Sequence, residues 1–142
     1  MYSKIIKYNE VDLGKIGLEV ELQNAAYKHG FTAKVNNVGY YSDEAIIFME
    51  DLKESCIADK YGENPNVLPK KYWNQIRNIL ETLLYEEGIE YVDITPYNFI
   101  EKDDKIYIID FGDAYYTNTN HKINWFLQEV LDGFEGWNPD FR

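Results

Sequence analysis

Apolar positions along the chain change their period several times, and each change marks an element. Residues 2–7 read as a short strand close to the N-terminus. Residues 15–29 carry two patterns. Ile16, Leu18, Val20 and Leu22 alternate as in a strand, whereas Leu18, Leu22, Ala25, Ala26 and His29 follow helical spacing. The length of the run, the alanine pair and the stop at Gly30 favour a helix. Thr32–Val38 and Ala45–Met49 then read as two strands, with Asn36-Asn37, Gly39 and Ser42-Asp43 as turn signals. Residues 51–68 look loop-rich, with a short helix expected near Ser55–Tyr61. The clearest helix runs from about Lys70 to Glu87, where Tyr72, Trp73, Ile76, Ile79, Leu80, Leu83 and Leu84 make one broad apolar face. Pro69 suits its start and Gly88 its stop. A last amphipathic helix, Ile123 to Leu131, ends at Gly133, and there is no internal repeat or low-complexity tract.

Between the two later helices, Lys102-Asp-Asp-Lys105 reads as a turn joining the apolar runs Asn98–Ile100 and Ile106–Ile109. Folded as an antiparallel hairpin, this segment brings Asn98 within one position of lying opposite Asp110. Mg²⁺ takes one or two protein oxygens and completes its octahedron with phosphates and water, so an amide and a carboxylate so placed suit a metal–nucleotide complex. Asp93 lies just ahead of the hairpin, where it could face an incoming hydroxyl. The spacing is that of a phosphotransfer site.

Composition narrows the picture. With hydrophobic residues at 45% and aromatics at 16%, the chain can bury a core, as one domain or two small lobes. A net charge of −11 argues against a nucleic-acid surface, which needs a basic stripe, and against anionic membranes. It leaves a nucleotide site open, because Mg²⁺ brings positive charge with it. The single cysteine, Cys56, cannot form an internal disulfide and reads as a small semi-buried side chain in a reducing compartment. No signal peptide is expected, and the longest apolar run, Ala45–Met49, is too short to span a bilayer. These features lead us to expect a cytoplasmic protein. Usage rich in Ile, Asn, Lys and Tyr fits an AT-rich genome, viral or phage, in which case the cytoplasm is the host's.

Asp93 with Asn98, followed by Asp110-Phe-Gly112, resembles the catalytic loop and metal motif of the protein kinase-like superfamily, H-R-D-x-x-x-x-N and D-F-G. The resemblance spans residues 2–112. It implies an α+β fold of two reduced lobes: residues 1–50 as a small antiparallel sheet with one helix, residues 51–142 mainly helical with the catalytic hairpin. Asp93 would be the catalytic base, with Asn98 and Asp110 as Mg²⁺ ligands. Lys4 looks like the strand lysine that contacts the α- and β-phosphates of ATP, with Lys7 as the weaker alternative. Glu19 is similar to the helix glutamate that pairs with that lysine, and Glu21 remains open because it depends on helix phase. Ile46–Leu52 resembles the strand that enters the hinge. There Met49 would border the adenine pocket, and the backbones of Glu50 and Leu52 would hydrogen-bond the base.

Several positions depart from the family. Tyr91 stands where His is usual and Val92 where Arg or Gly is common, so regulation by a phosphorylated loop is not expected. Thr95 replaces a frequent Lys and removes a charge that would stabilise the transition state by several kcal/mol. The strands and Gly-rich loop that normally precede Lys4 are missing, as is the A-P-E motif after Gly112, so the kinase pattern reads as a minimal form cut short at both ends. Tyr115, Tyr116, Thr117 and Thr119 are candidate phosphosites, with a polar, aromatic loop as the plainer account. His29 and His121 match no metal or triad spacing, and Trp73, Trp125 and Trp137 read as core or tail anchors. Two functions follow from the resemblance. One is an ATP- and Mg-dependent phosphotransferase of Ser/Thr kinase type, its acceptor a protein or small molecule. The other is a non-catalytic kinase-like module that binds a kinase partner or forms a homodimer through an open sheet edge.

Overall fold

The computed structural model describes residues 1–9 and 12–141. They form an α+β fold with antiparallel sheets and four α-helices. Strand β1 (Tyr2–Lys7), helix α1 (Leu13–Lys28), β2 (Val35–Tyr40) and β3 (Glu44–Met49) come first. The three strands make one sheet in the order β1-β3-β2. Helices α2 (Ile57–Tyr61) and α3 (Lys70–Glu87), with a 3₁₀ turn at Pro65–Val67 between them, lead to β4 (Ile89–Glu90). The hairpin β5 (Phe99–Lys102) and β6 (Lys105–Ile108), then β7 (Tyr115–Tyr116) and α4 (Trp125–Leu131), complete the chain. Among the described residues no helix is long and apolar enough to cross a membrane.

Two buried clusters divide the interior. The smaller packs Ile6, Ala45, Ile47, Met49 and Leu52 with Ile16 of α1. The larger centres on α3, whose seven apolar-face residues are all buried, with Phe99, Ile106, Ile108 and α4 packed against it. Helix α1 belongs to both, because Leu22 and Ala26 join the larger cluster while Ile16 joins the smaller. Its buried stripe of Ile16, Glu19, Leu22, Gln23 and Ala26 follows a spacing of three and four, placing two polar side chains among apolar ones. Trp73 and Trp137 lie with ring centroids 4.6 Å apart in the larger cluster. Trp125 stays exposed, and its indole N–H donates to Asp140 at 3.1 Å.

Several boundaries differ from the sequence reading for identifiable reasons. Helix α1 begins at Leu13 because Asp12 caps it, its Oδ1 accepting from the Lys15 amide at 2.8 Å. Helix α4 begins at Trp125 rather than Ile123, since Asn124 Oδ1 accepts from the amides of Phe126 and Leu127. The second strand starts at Val35, not Thr32. The preceding carbonyls are engaged elsewhere: Phe31 O accepts from the Ile108 amide and Ala33 O from the Gln23 side chain. Asn36-Asn37 is a register shift within β2, not a turn, and Gly39 lies inside the strand. The segment around Tyr115 is not simply a loop, because β7 pairs with β4.

The hairpin forms as expected, with Phe99 opposite Ile108. Asp103 and Asp104 both take positive φ, 53° and 64°, as a tight two-residue turn requires. Helix α3 fixes its position. Tyr72 donates to Asp104 Oδ1 at 3.0 Å, Gln75 Nε2 donates to Asp104 O at 2.9 Å, and Gln75 Oε1 accepts from the Ile106 amide at 2.7 Å.

Candidate functional site

A cavity of about 510 Å³ opens beside the smaller cluster, whose Ala33, Met49, Leu52 and Ile100 line it. Lys4, Glu19, Met49, Glu50, Leu52, Asn98 and Asp110 all line it, although they come from strand, helix, linker and hairpin. At its polar end the Lys4 Nζ stands 2.5 Å from Glu19 Oε2 and 2.9 Å from Asp110 Oδ1. The Glu19 side chain is nearly sealed at 7% exposure, while Lys4 and Asp110 open further, at 26% and 43%.

Strand and helix geometry select these residues over their neighbours. Lys7 pairs with Glu44 at the far end of β1. Glu21 is exposed and accepts from the Tyr116 hydroxyl at 2.6 Å. Glu19 is in the buried stripe, which turns it toward β1 and the hairpin.

The charges shape one another. Burial would lower Lys4, but the Glu19 and Asp110 carboxylates outweigh it and hold the ammonium above its ordinary value. Burial likewise pushes Glu19 up, and Lys4 offsets this only in part. Asp110 goes the other way: burial would raise it, yet Lys4 and the Gly112 amide hold it below the usual carboxylate range. Burial raises Asp93 against the pull of the Asn98 amide, with Asp113 and Asp110 adding to the rise.

Asp110 has a left-handed backbone, φ 63°, which is uncommon outside glycine. Its local hydrogen bonds explain how that conformation persists. The Gly112 amide donates to Asp110 Oδ1 at 3.0 Å. The Tyr91 hydroxyl reaches the carbonyls of Ile109 and Asp110 at 2.6 and 2.8 Å. Tyr91 is itself only 1% exposed, with Phe99 and Phe111 against its ring in edge-on geometry. Burial, then the surrounding carboxylates, hold its phenol well above its ordinary value, so it stays a neutral donor.

Asp93 does not line the cavity but is tied to it, since Asn98 Nδ2 donates to the Asp93 carbonyl at 3.0 Å. That bond uses the nitrogen of the Asn98 amide, and no hydrogen bond among the described residues engages its Oδ1. Asp110 Oδ2 is likewise uncommitted, because Lys4 and Gly112 both use Oδ1. Both oxygens are open to a cation. Among the described residues no three His, Cys, Asp or Glu side chains form a metal cluster by themselves. Mg²⁺ on a nucleotide needs fewer, with phosphate supplying the remainder. Gly112 keeps the site open: a Cβ there would come within 3.2 Å of Asp110 Oδ1 and 3.3 Å of Glu19 Oε1.

At the other end of the cavity, Met49 is buried and Glu50 leaves the sheet. The Glu50 amide is used by Lys34 O at 2.9 Å, while the Glu50 carbonyl and the Leu52 amide have no partner among the described residues. One acceptor and one donor are thus presented along the Met49–Leu52 edge.

Three supporting residues carry no local sequence signal. Tyr91 supports Asp110, as described. Asn138, 1% exposed, donates its side-chain amide to Val92 O and its backbone amide to Ile94 O, both at 2.8 Å. Glu90, 3% exposed, accepts from the Tyr115 hydroxyl at 3.1 Å, and from the Thr117 hydroxyl and Asn124 amide at 2.8 Å each. The hydroxyls of Tyr115 and Thr117 are therefore committed to a buried carboxylate. Cys56 is semi-buried at the cavity wall, and His121 is in the loop before α4. No protein-family model matches the chain, and no curated protein matches its sequence.

Proposed function

We propose that the chain is an ATP- and Mg²⁺-dependent phosphotransferase with a reduced, two-lobed kinase-like fold, most simply of Ser/Thr kinase type. The observation that carries this reading is the Lys4 ammonium held between Glu19 and Asp110 inside one cavity with Met49–Leu52. The cavity volume lies in the range of small-ligand and cofactor sites.

In this reading the adenine lies against Met49, accepting from the Leu52 amide and donating to the Glu50 carbonyl. Lys4, aimed by Glu19, meets the α- and β-phosphates. Asp110 and Asn98 hold Mg²⁺, which supplies charge neutralisation to the phosphates when bound. Asp93 orients the acceptor hydroxyl. Positioning and electrostatics carry most of phosphoryl transfer, so these few groups are the core it needs.

Thermal unfolding with and without Mg·ATP tests the reading. The native protein should gain stability and Asp110→Ala should not; no nucleotide-linked gain in the native protein would sink the proposal. Transfer of radiolabelled phosphate that survives Asp93→Asn would reject Asp93 as the base.

One observation favours a second, non-catalytic reading. Strand β1 is an edge of its sheet, and Tyr2 and Ile5 are 56% and 57% exposed. An open edge of this kind can pair with a second copy or with a kinase partner. A concentration-dependent mass in sedimentation, abolished by Ile5→Pro, would support that role.

A further inference from the structure

A second cavity, of about 570 Å³, shares Tyr97 with the first. Its walls come from three separate segments: Glu63 and Pro65, the run Thr95–Tyr97 that follows Asp93, and the C-terminal stretch Trp137–Phe141. The arrangement is built in, because Asn138 bonds to Val92 and Ile94 on either side of Asp93. The Thr95 amide also donates to the Asp93 carbonyl at 3.0 Å. The cavity therefore adjoins the loop that carries Asp93.

Its chemistry is specific. Tyr97, Trp137 and Phe141 contribute aromatic rings, and Glu63 contributes a carboxylate. Among the described residues no lysine or arginine lines it, and Glu63 has no cationic partner. The Tyr97 hydroxyl bonds to one Glu63 oxygen, which fixes the carboxylate beside the ring. Aromatic side chains beside a carboxylate that has no ion-pair partner are complementary to an organic cation. Neither phosphate nor an acidic partner would be drawn there, given the chain's net charge of −11.

We propose that this second cavity binds the cationic group of the phosphoryl acceptor, a hydroxyl-bearing organic cation held by Glu63, Tyr97, Trp137 and Phe141. The hydroxyl is then delivered to the neighbouring Asp93. The word acceptor rests on the phosphotransferase reading; the cation site does not.

Proton–nitrogen correlation NMR of the full chain separates the two. Choline, its uncharged carbon isostere and a short Arg-Ser peptide are titrated separately, and Mg·ATP is titrated in a parallel sample. Choline or the peptide should shift the Trp137 indole and the amides of Tyr97 and Phe141, and whichever does so identifies the source of the cation. Binding should be roughly tenfold tighter than for the uncharged isostere, and Glu63→Gln should remove most of that margin. Glu63 and Tyr97 are exposed, so Glu63→Gln and Tyr97→Leu leave the core intact. Equal binding of the uncharged isostere, shifts located elsewhere, or affinity unchanged in both variants would overturn the inference. A cation response without any Mg·ATP response at Met49–Leu52 keeps the site and removes the phosphotransferase. The reverse removes the site alone.

Discussion

Replacing Lys4 with Met keeps most of the side-chain stem and deletes the ammonium that stands 2.5 Å from Glu19 and 2.9 Å from Asp110. The Glu19 carboxylate, 7% exposed, is then left without its cation. Breaking a buried pair costs about 3–5 kcal/mol. Water reaches both Lys4 and Asp110, which brings the expected loss down to about 2 kcal/mol. Glu19→Gln alone should cost less, since Lys4 keeps Asp110. The double variant Lys4→Met/Glu19→Gln should recover part of the Lys4→Met loss, because it removes the stranded charge. Urea unfolding of the four proteins gives the cycle. The reasoning fails if Lys4→Met lies within about 0.5 kcal/mol of native, or if the two single costs simply add.

Acidity supplies a second check on the same variant. Glu19 is held above its ordinary 4.5 by burial despite Lys4. A raised carboxyl contributes stability that is complete below its unfolded pKa and lost as pH climbs through the folded value. Without Lys4 the carboxyl rises further, so the Lys4→Met deficit is larger at neutral pH and narrows as pH falls toward 4.5. Asp110, held low by Lys4 in the native protein, contributes stability above its ordinary 3.8 that is lost only as pH drops through its folded value. That contribution is absent from the variant, so a gap persists at mildly acid pH. A deficit that widens on acidification would contradict the assignment.

Three other substitutions probe the supports. Gly112→Ala places a Cβ 3.2 Å from Asp110 Oδ1 and 3.3 Å from Glu19 Oε1, so we expect under about 1 kcal/mol of lost stability but a smaller Mg·ATP-linked rise in Tm; an undiminished rise would refute the crowding. Tyr91→Phe removes the hydroxyl shared by the Ile109 and Asp110 carbonyls and should cost about 1–2 kcal/mol in urea unfolding, with no loss meaning that water replaces it. Glu90→Gln leaves one acceptor oxygen where a carboxylate served three donors, and should cost roughly 1.5–3 kcal/mol. Limited proteolysis should then cut faster near Tyr115–Asn118, and an unchanged cleavage pattern would show that the segment is held by something other than Glu90.

How much of the fold could be read from the chain depends on whether the signal is local. Helix α3 was legible at both ends because its apolar face, Pro69 and Gly88 all act within a few positions of one another. Gly88 also takes the left-handed conformation, φ 67°, that a helix stop of this kind uses. Strand β2 was less legible, because Asn36-Asn37 and Gly39 are turn residues by propensity. Pairing with β3 overrides them, and the irregularity becomes a bulge instead of a turn. The short ladder between β4 and β7 could not be read at all. Two-residue strands have no period, and their partners lie more than twenty residues apart.

The site divides along the same line. Lys4, Glu19, Asn98 and Asp110 carry charge or amide at spacings that hold meaning once a strand, a helix and a hairpin are assigned, and the structure brings them together. The choice of Glu19 over Glu21 needed helix phase, and a stripe drawn through Ile16, Leu22 and Ala26 instead of Leu18 and Ala25 would have made it. Tyr91, Asn138 and Glu90 offered no such handle. Tyr91 and Asn138 donate to backbone carbonyls, and every residue has one of those, so no pattern of side-chain types marks the partner. Yet these bonds fix the left-handed turn at Asp110 and the loop around Asp93, on which the positions of the charged groups depend. If positioning dominates the chemistry, Tyr91→Phe should weaken Mg·ATP binding although Tyr91 is outside the cavity lining. If it lowers stability and leaves that binding unchanged, the left-handed turn is held by the Gly112 amide and Lys4 alone, and Tyr91 belongs to the core.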